Sequence, residues 1–171
     1  MKRLFVLRHA KSSWDDPTLA DFNRPLNDRG WKAARRMGRE LMRRDTRIDL
    51  IVSSMAARAR ETLDGIREEL DVNVEVRFEP RMYHASEDTL LSLIRALPQK
   101  VNCPLLIGHN PGLQQLLVEL AHDDDEGLRH RIGHKYPTGA FAEVELPAHR
   151  WTDVAAGSGE VVELIFPKEL D

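Results

Sequence analysis

One cysteine, Cys103, stands among the 171 residues, so no disulfide can form within the chain. No stretch approaches the roughly 20 consecutive apolar residues needed to cross a bilayer. The apolar run that follows Lys2 and Arg3 covers only Leu4 to Leu7 before Arg8, too short for the hydrophobic region of a secretory signal. A cytoplasmic protein that does not engage a membrane is therefore expected. A dominant charge is missing as well: 25 Lys and Arg against 28 Asp and Glu leave −3 with neutral histidines. Such a balance provides no overall field to hold nucleic acid, and any anion site must be built locally. Glycine (10) and proline (9) are too few, and hydrophobic residues at 42% too many, for a fibrous or disordered chain. With no repeat, linker or low-complexity tract, one domain spanning residues 1–171 is expected.

What is present is an alternation. Leu4 to Leu7 is a short apolar run, the mark of a strand buried on both faces. From Arg29 to Arg44, Ala34, Met37, Gly38 and Leu41 recur at helical spacing, with Asn27 or Asp28 able to cap. Ile48 to Val52 predicts a second strand and Ala56 to Leu70 a second helix. Val72 to Phe78 alternates, as an edge strand does, and Ser86 can cap a helix through Leu97. Val101 to Ile107 follows as a fourth strand. Asn110 and Pro111 then stand at the cap and first turn of a helix carrying Leu113, Leu116, Leu117 and Leu120. A short helix within 126–135 and two strands, Ala140 to Leu146 and Glu160 to Phe166, complete the chain, the last two as a hairpin-like edge pair. Strand alternating with helix predicts an α/β fold, a three-layer α/β/α sandwich with a mainly parallel central sheet.

Ligands of open α/β sheets bind beyond the carboxyl ends of the strands. There the chain places Arg8 and His9 after strand one, Ser53, Ser54 and Arg58 after strand two, and Gly108, His109 and Asn110 after strand four. Each alone has a plain reading: a structural histidine, an arginine paired with Glu61 or Thr62, an arginine closing a strand. Together at one rim, beside a helix amino terminus, they predict a functional anion site. His122 with Asp123, Asp124 and Asp125 reads as a solvated turn, His130 and His134 as a surface pair, and Cys103 as a buried small hydrophobe.

Arg8-His9-Ala10, Ser53-Ser54 with Arg58-Ala59-Arg60-Glu61-Thr62, and Gly108-His109-Asn110 resemble the histidine phosphatase superfamily, the phosphoglycerate-mutase-like family, in order and spacing. Asn23-Arg24-Pro25-Leu26 and Tyr136-Pro137-Thr138-Gly139-Ala140 further resemble its short SixA-type branch of phosphohistidine phosphatases. The resemblance implies a phosphoglycerate-mutase-like fold and a metal-independent phosphatase with no cofactor. It makes His9 the nucleophile, has Arg8, Arg58 and His109 bind the phosphate oxygens, and adds a contact from Arg24. The substrate it implies is phosphohistidine in a protein.

Where many relatives carry a Glu as general acid, this chain reads Pro80-Arg81-Met82-Tyr83-His84. His84 is one candidate for that acid, with Glu87 or Asp88 behind it, although both also fit the acidic first turn of a helix. An imidazole leaving group needs an acid less than an alkoxide does, which favours an N–P substrate. The alternatives are a phosphatase for a small phosphate ester, a noncatalytic phosphate-binding module, and metal-dependent hydrolysis by His9, His84 and His109. The last is disfavoured by arginines that repel a cation at the same rim.

Overall fold

A strand flanked by helices on both sides must be apolar in unbroken register, because successive side chains point to opposite faces. Strand β1 (Lys2–Arg8) meets that condition, with Leu4 and Val6 in one core cluster and Phe5 and Leu7 in the other. The computed structural model describes residues 1–170. After β1 come α1 (Asp28–Arg43), β2 (Leu50–Ser53), α2 (Ala57–Glu69), β3 (Val76–Phe78), α3 (Glu87–Arg95), β4 (Pro104–Gly108), α4 (Gly112–Leu120), α5 (Leu128–His134), β5 (Phe141–Leu146) and β6 (Glu160–Ile165). The strands form one sheet in the order β3-β2-β4-β1-β5-β6. Its first four strands are parallel, while β5 and β6 run antiparallel as the edge pair.

Met37 and Leu41 of α1 and Leu63 and Ile66 of α2 cover Phe5, Leu7, Ile51 and Ile107 on one face. On the other, Leu90 and Ile94 of α3, Leu113 and Leu116 of α4 and Ile132 of α5 cover Leu4, Val6 and Leu106. The α1–α2 contact is close enough to require glycine: a Cβ at Gly38 would lie 2.6 Å from the Ile66 carbonyl oxygen, and one at Gly65 would lie 2.7 Å from the Ala34 Cβ.

Several boundaries differ from the sequence expectation, β2 starting at Leu50 and α3 ending at Arg95 among them. β3 pairs only from Val76, because its ladder spans Ile51 to Ser53 of the short β2; Val72 and Val74 pack on the core without pairing. β4 begins at Pro104 because the Asp49 carboxylate takes the backbone N–H groups of Asn102 and Cys103 at 2.6 and 2.9 Å. Cys103 is consequently half-buried at the strand's entrance rather than buried within it. Asn110 does not cap α4. Its amide donates instead to the Tyr136 carbonyl at 2.8 Å, and Pro111 occupies the cap position without a side-chain bond.

Candidate active site

The ends of β1, β2 and β4 are tied together before any side chain is considered. His9 N–H donates to the Gly108 carbonyl at 3.0 Å and Ser54 N–H to the Ile107 carbonyl at 2.9 Å. Thr62, one turn into α2 beyond Arg58, accepts from Ala10 N–H at 2.9 Å and donates to the Arg58 carbonyl at 2.7 Å. From the other side, Gly139 N–H reaches the carbonyls of Arg8 and His9 at 3.0 and 2.9 Å. The His9 backbone is thereby clamped between α2 and the approach to β5. Glu61, far from pairing with Arg58, holds the Leu26 N–H at 2.8 Å.

His9 is only 6% exposed. Its Nδ1 lies 2.7 Å from the Ala10 carbonyl oxygen. A carbonyl can only accept, so Nδ1 carries the ring hydrogen and Nε2 carries the lone pair. Burial, reinforced by the nearby His109, Arg58 and Arg8, lowers the His9 pKa from 6.5 to about 3. The ring is then neutral at physiological pH, the state in which an imidazole can act as a nucleophile.

The His109 ring centroid lies 5.1 Å from that of His9. Its Nε2 is 2.7 Å from Ser54 Oγ, which already accepts the Ala56 N–H at 3.2 Å. Ser54 can still donate its single proton to Nε2, and the hydrogen of the neutral ring then sits on Nδ1. Burial, with Arg58 next in weight, lowers this pKa to about 3 as well.

Arg8 donates through Nη1 to the Tyr136 carbonyl at 3.1 Å. Tyr136 is fully buried and is itself anchored by its hydroxyl on the Val6 carbonyl at 2.7 Å. Arg58, 5% exposed, spends Nη1 and Nη2 on the backbone oxygen and carboxylate of Asp21 at 2.8 and 3.1 Å. Buried polar groups are almost always paired. Among the described residues, the buried side-chain nitrogens and oxygens without a partner are Arg8 Nε, Arg58 Nε, His109 Nδ1 and Asn110 Oδ1. All four belong to this rim, and three are nitrogens able to donate.

The sequence reading missed the organising carboxylate. Asp21, in a 3₁₀ turn (Asp21–Asn23), accepts from Arg58, from Arg24 Nε and Nη2 at 3.3 and 3.1 Å, and from the Tyr83 hydroxyl at 2.5 Å. The Tyr83 hydrogen bond, then Arg24 and Arg58, hold its carboxyl far below the usual carboxylate range. The signal available was its position three residues before Arg24. Arg24 is 8% exposed, with Nη1 on Ser12 Oγ at 2.6 Å and its guanidinium 3.6 Å over the ring of the exposed Trp14. It joins the site through Asp21. Tyr83, also missed, sets its ring edge-on to His109 at 5.6 Å.

His84 is exposed at the mouth with a left-handed backbone, φ 57°, its ring against Tyr83 and its Nε2 3.9 Å from Asp21. Glu87 and Asp88 gather instead with Glu119 of α4, their carboxylates within 4.8 Å. Among the described residues this is the one trio of potential metal ligands so close; His9, His84 and His109 form no such group. His130 and His134 face each other at 3.2 Å on the exposed side of α5.

The profile of the histidine phosphatase superfamily (branch 1) matches residues 4–84. An uncharacterised protein of Mycobacterium tuberculosis is 32% identical over 164 residues, covering 95% of this chain and 100% of the relative. Two solved structures are similar throughout. One, from Agrobacterium tumefaciens, is assigned as phosphohistidine phosphatase SixA, with 30% identity, a TM-score of 0.80, and 97% of this chain and 98% of that chain covered. The other, with the same assignment, comes from Nakamurella multipartitia, at 26% identity and a TM-score of 0.84, covering 97% of this chain and 96% of that one. The chain belongs to the histidine phosphatase superfamily, in its SixA-type branch, and its fold is phosphoglycerate-mutase-like.

Proposed function

We propose that the chain is a metal-independent phosphatase that removes the phosphoryl group from phosphohistidine in a protein by way of a phosphohistidine intermediate on His9. The observation that carries this reading is the set of three buried, unpartnered donors, Arg8 Nε, Arg58 Nε and His109 Nδ1, beside a neutral imidazole whose Nε2 lone pair is free. Phosphoryl transfer asks for an in-line nucleophile and donors around the nonbridging oxygens. In the first step His9 Nε2 attacks phosphorus. The substrate's P–N bond breaks, its electron pair stays on the departing imidazole, and that nitrogen takes a proton from solvent. In the second, water attacks phosphorus, the P–Nε2 bond breaks, and phosphate and a proton are released. Arg8, Arg58 and His109 hold the oxygens throughout. Arg24 steadies Arg58 through Asp21. The guanidinium charges fill the role a metal would otherwise take and repel one.

An N–P substrate is favoured because Asp21, the carboxylate bound to Arg58 at the rim, is held ionised and is no proton donor. A protein substrate is favoured by two exposed aromatic side chains beside the rim, Trp14, whose ring lies under the Arg24 guanidinium, and Phe22, edge-on to Tyr83. Rapid mixing with a ³²P-phosphohistidine protein, followed by alkaline quench, should leave acid-labile, base-stable label on His9. His9→Ala should fold and lose turnover. Label on a serine, or an active His9→Ala, overturns the mechanism. Faster hydrolysis of an alkyl phosphate than of phosphohistidine would favour the small-ester reading.

A further inference from the structure

Beside the rim lies a second feature that the chemistry at His9 does not use. A groove of about 390 Å³ between the start of α1 and the segment after β6 is lined by Lys11, Arg29, Lys32, Arg36, Lys135 and Lys168, with no carboxylate among the described residues of its walls. This is anomalous for a chain in which acidic groups outnumber basic ones. Elsewhere several surface arginines are neutralised: Arg35 pairs with Glu68, Arg39 with Glu69, Arg43 with Glu40 and Arg81 with Glu79. Among the described residues, Lys11, Arg29, Lys32, Lys135 and Lys168 have no such ion pair.

The groove is continuous with the candidate active site along the backbone. Lys11 is two residues beyond His9, and Thr138, also in the wall, adjoins Gly139, whose N–H holds the Arg8 and His9 carbonyls. Its floor includes Ala33, Phe166 and Pro167. Dispersed, exposed lysines over an apolar floor suit a broad acidic surface better than a single phosphate, which calls for converging donors of the kind found at His9.

We infer that this groove docks an acidic face of the phosphoprotein substrate and delivers the phosphohistidine to His9. The inference rests on the phosphatase reading above. A substrate no larger than an amino acid, bound at His9, gains nothing from the groove, whereas a protein gains both affinity and encounter rate.

The test compares wild type, Lys32→Glu/Lys168→Glu and the milder Lys32→Gln/Lys168→Gln. Two substrates are used: an acidic protein domain phosphorylated on histidine with phosphoramidate, and free phosphohistidine. Both lysines are exposed, and unchanged thermal unfolding confirms that the variants fold. At low salt, the Glu variant should lose about tenfold or more in kcat/KM on the phosphoprotein, mainly through KM, and the Gln variant less. The salt sensitivity of the wild type on the phosphoprotein should flatten in both. Activity on free phosphohistidine should stay at the wild-type level. Unchanged kinetics on the phosphoprotein overturn the docking role, and so does an equal loss on both substrates, which would mark a field acting on the site itself. A wild type inactive on both overturns the phosphatase reading and the inference with it.

Discussion

Replacing Asp21 with Ala leaves two guanidiniums, Arg58 and Arg24, without their shared carboxylate, and Tyr83 without an acceptor. Arg58 suffers most, since its side chain is only 6% exposed while the Asp21 side chain is 43% exposed. A hydrogen bond to a charged group contributes about 1.5–3 kcal/mol. Solvent screening at the open Asp21 reduces that, and the Arg58 and Arg24 bonds together should be worth about 2 kcal/mol. For a domain of this size that corresponds to a Tm lower by roughly 4–8 °C. Because its pKa is depressed in the folded state, Asp21 contributes this stability above the ordinary carboxylate range, and acid removes it as the folded-state carboxyl takes up its proton. The deficit of Asp21→Ala should therefore be full at pH 7 and shrink in strong acid. Activity and vanadate affinity should fall together, since an unanchored Arg58 no longer presents Nε to the phosphate; a loss of about tenfold or more is reasonable where removing a whole donor costs 10²–10³. Thermal unfolding, kcat/KM and vanadate inhibition measured on one preparation check all three. An unchanged Tm and kcat/KM would refute the reasoning. Tighter vanadate binding would show that Asp21 competes with phosphate for the arginines instead of positioning them.

Ser54→Ala should leave His109 Nε2 buried without a partner, costing about 1–3 kcal/mol of stability; kcat should drop while the His9 phosphoenzyme still forms, and rescue by Ser54→Thr would separate hydrogen bonding from packing. Acid should destabilise the fold through His9 and His109: with folded pKa values of about 3 against 6.5, the unfolded chain alone takes up protons between those limits. Each ring then removes up to about 1.4 kcal/mol per pH unit. NMR should find both imidazoles neutral at pH 5, and an imidazolium signal there would contradict the burial argument. Chelators should leave turnover unchanged and vanadate should inhibit it, whereas activity restored to a chelated enzyme by zinc or manganese would call for a metal at the rim.

Much of this protein could be read from local pattern, because local pattern has local causes. The apolar run Leu4 to Leu7 demanded a strand covered on both sides, and the spacing of Ala34, Met37 and Leu41 demanded a helix with one buried stripe. Residues placed at or just beyond strand ends, Arg8, His9, Ser54 and His109, had to meet at one rim, since parallel strands bring their carboxyl ends together whatever the loops between them do. Tertiary structure decided what those residues can do there. The His9 tautomer depends on the direction of the adjacent Ala10 carbonyl, and the His109 contact depends on a serine 55 positions away. Asp21 gained its place because a 3₁₀ turn folds back across α2 and meets Arg58, 37 residues on, and Tyr83, 62 residues on. The basic groove likewise draws on α1, Lys135 and Lys168, which share nothing in sequence. Hydrogen bonds and fields act through space over a few ångströms, and only the closed fold sets which distant residues fall within that reach.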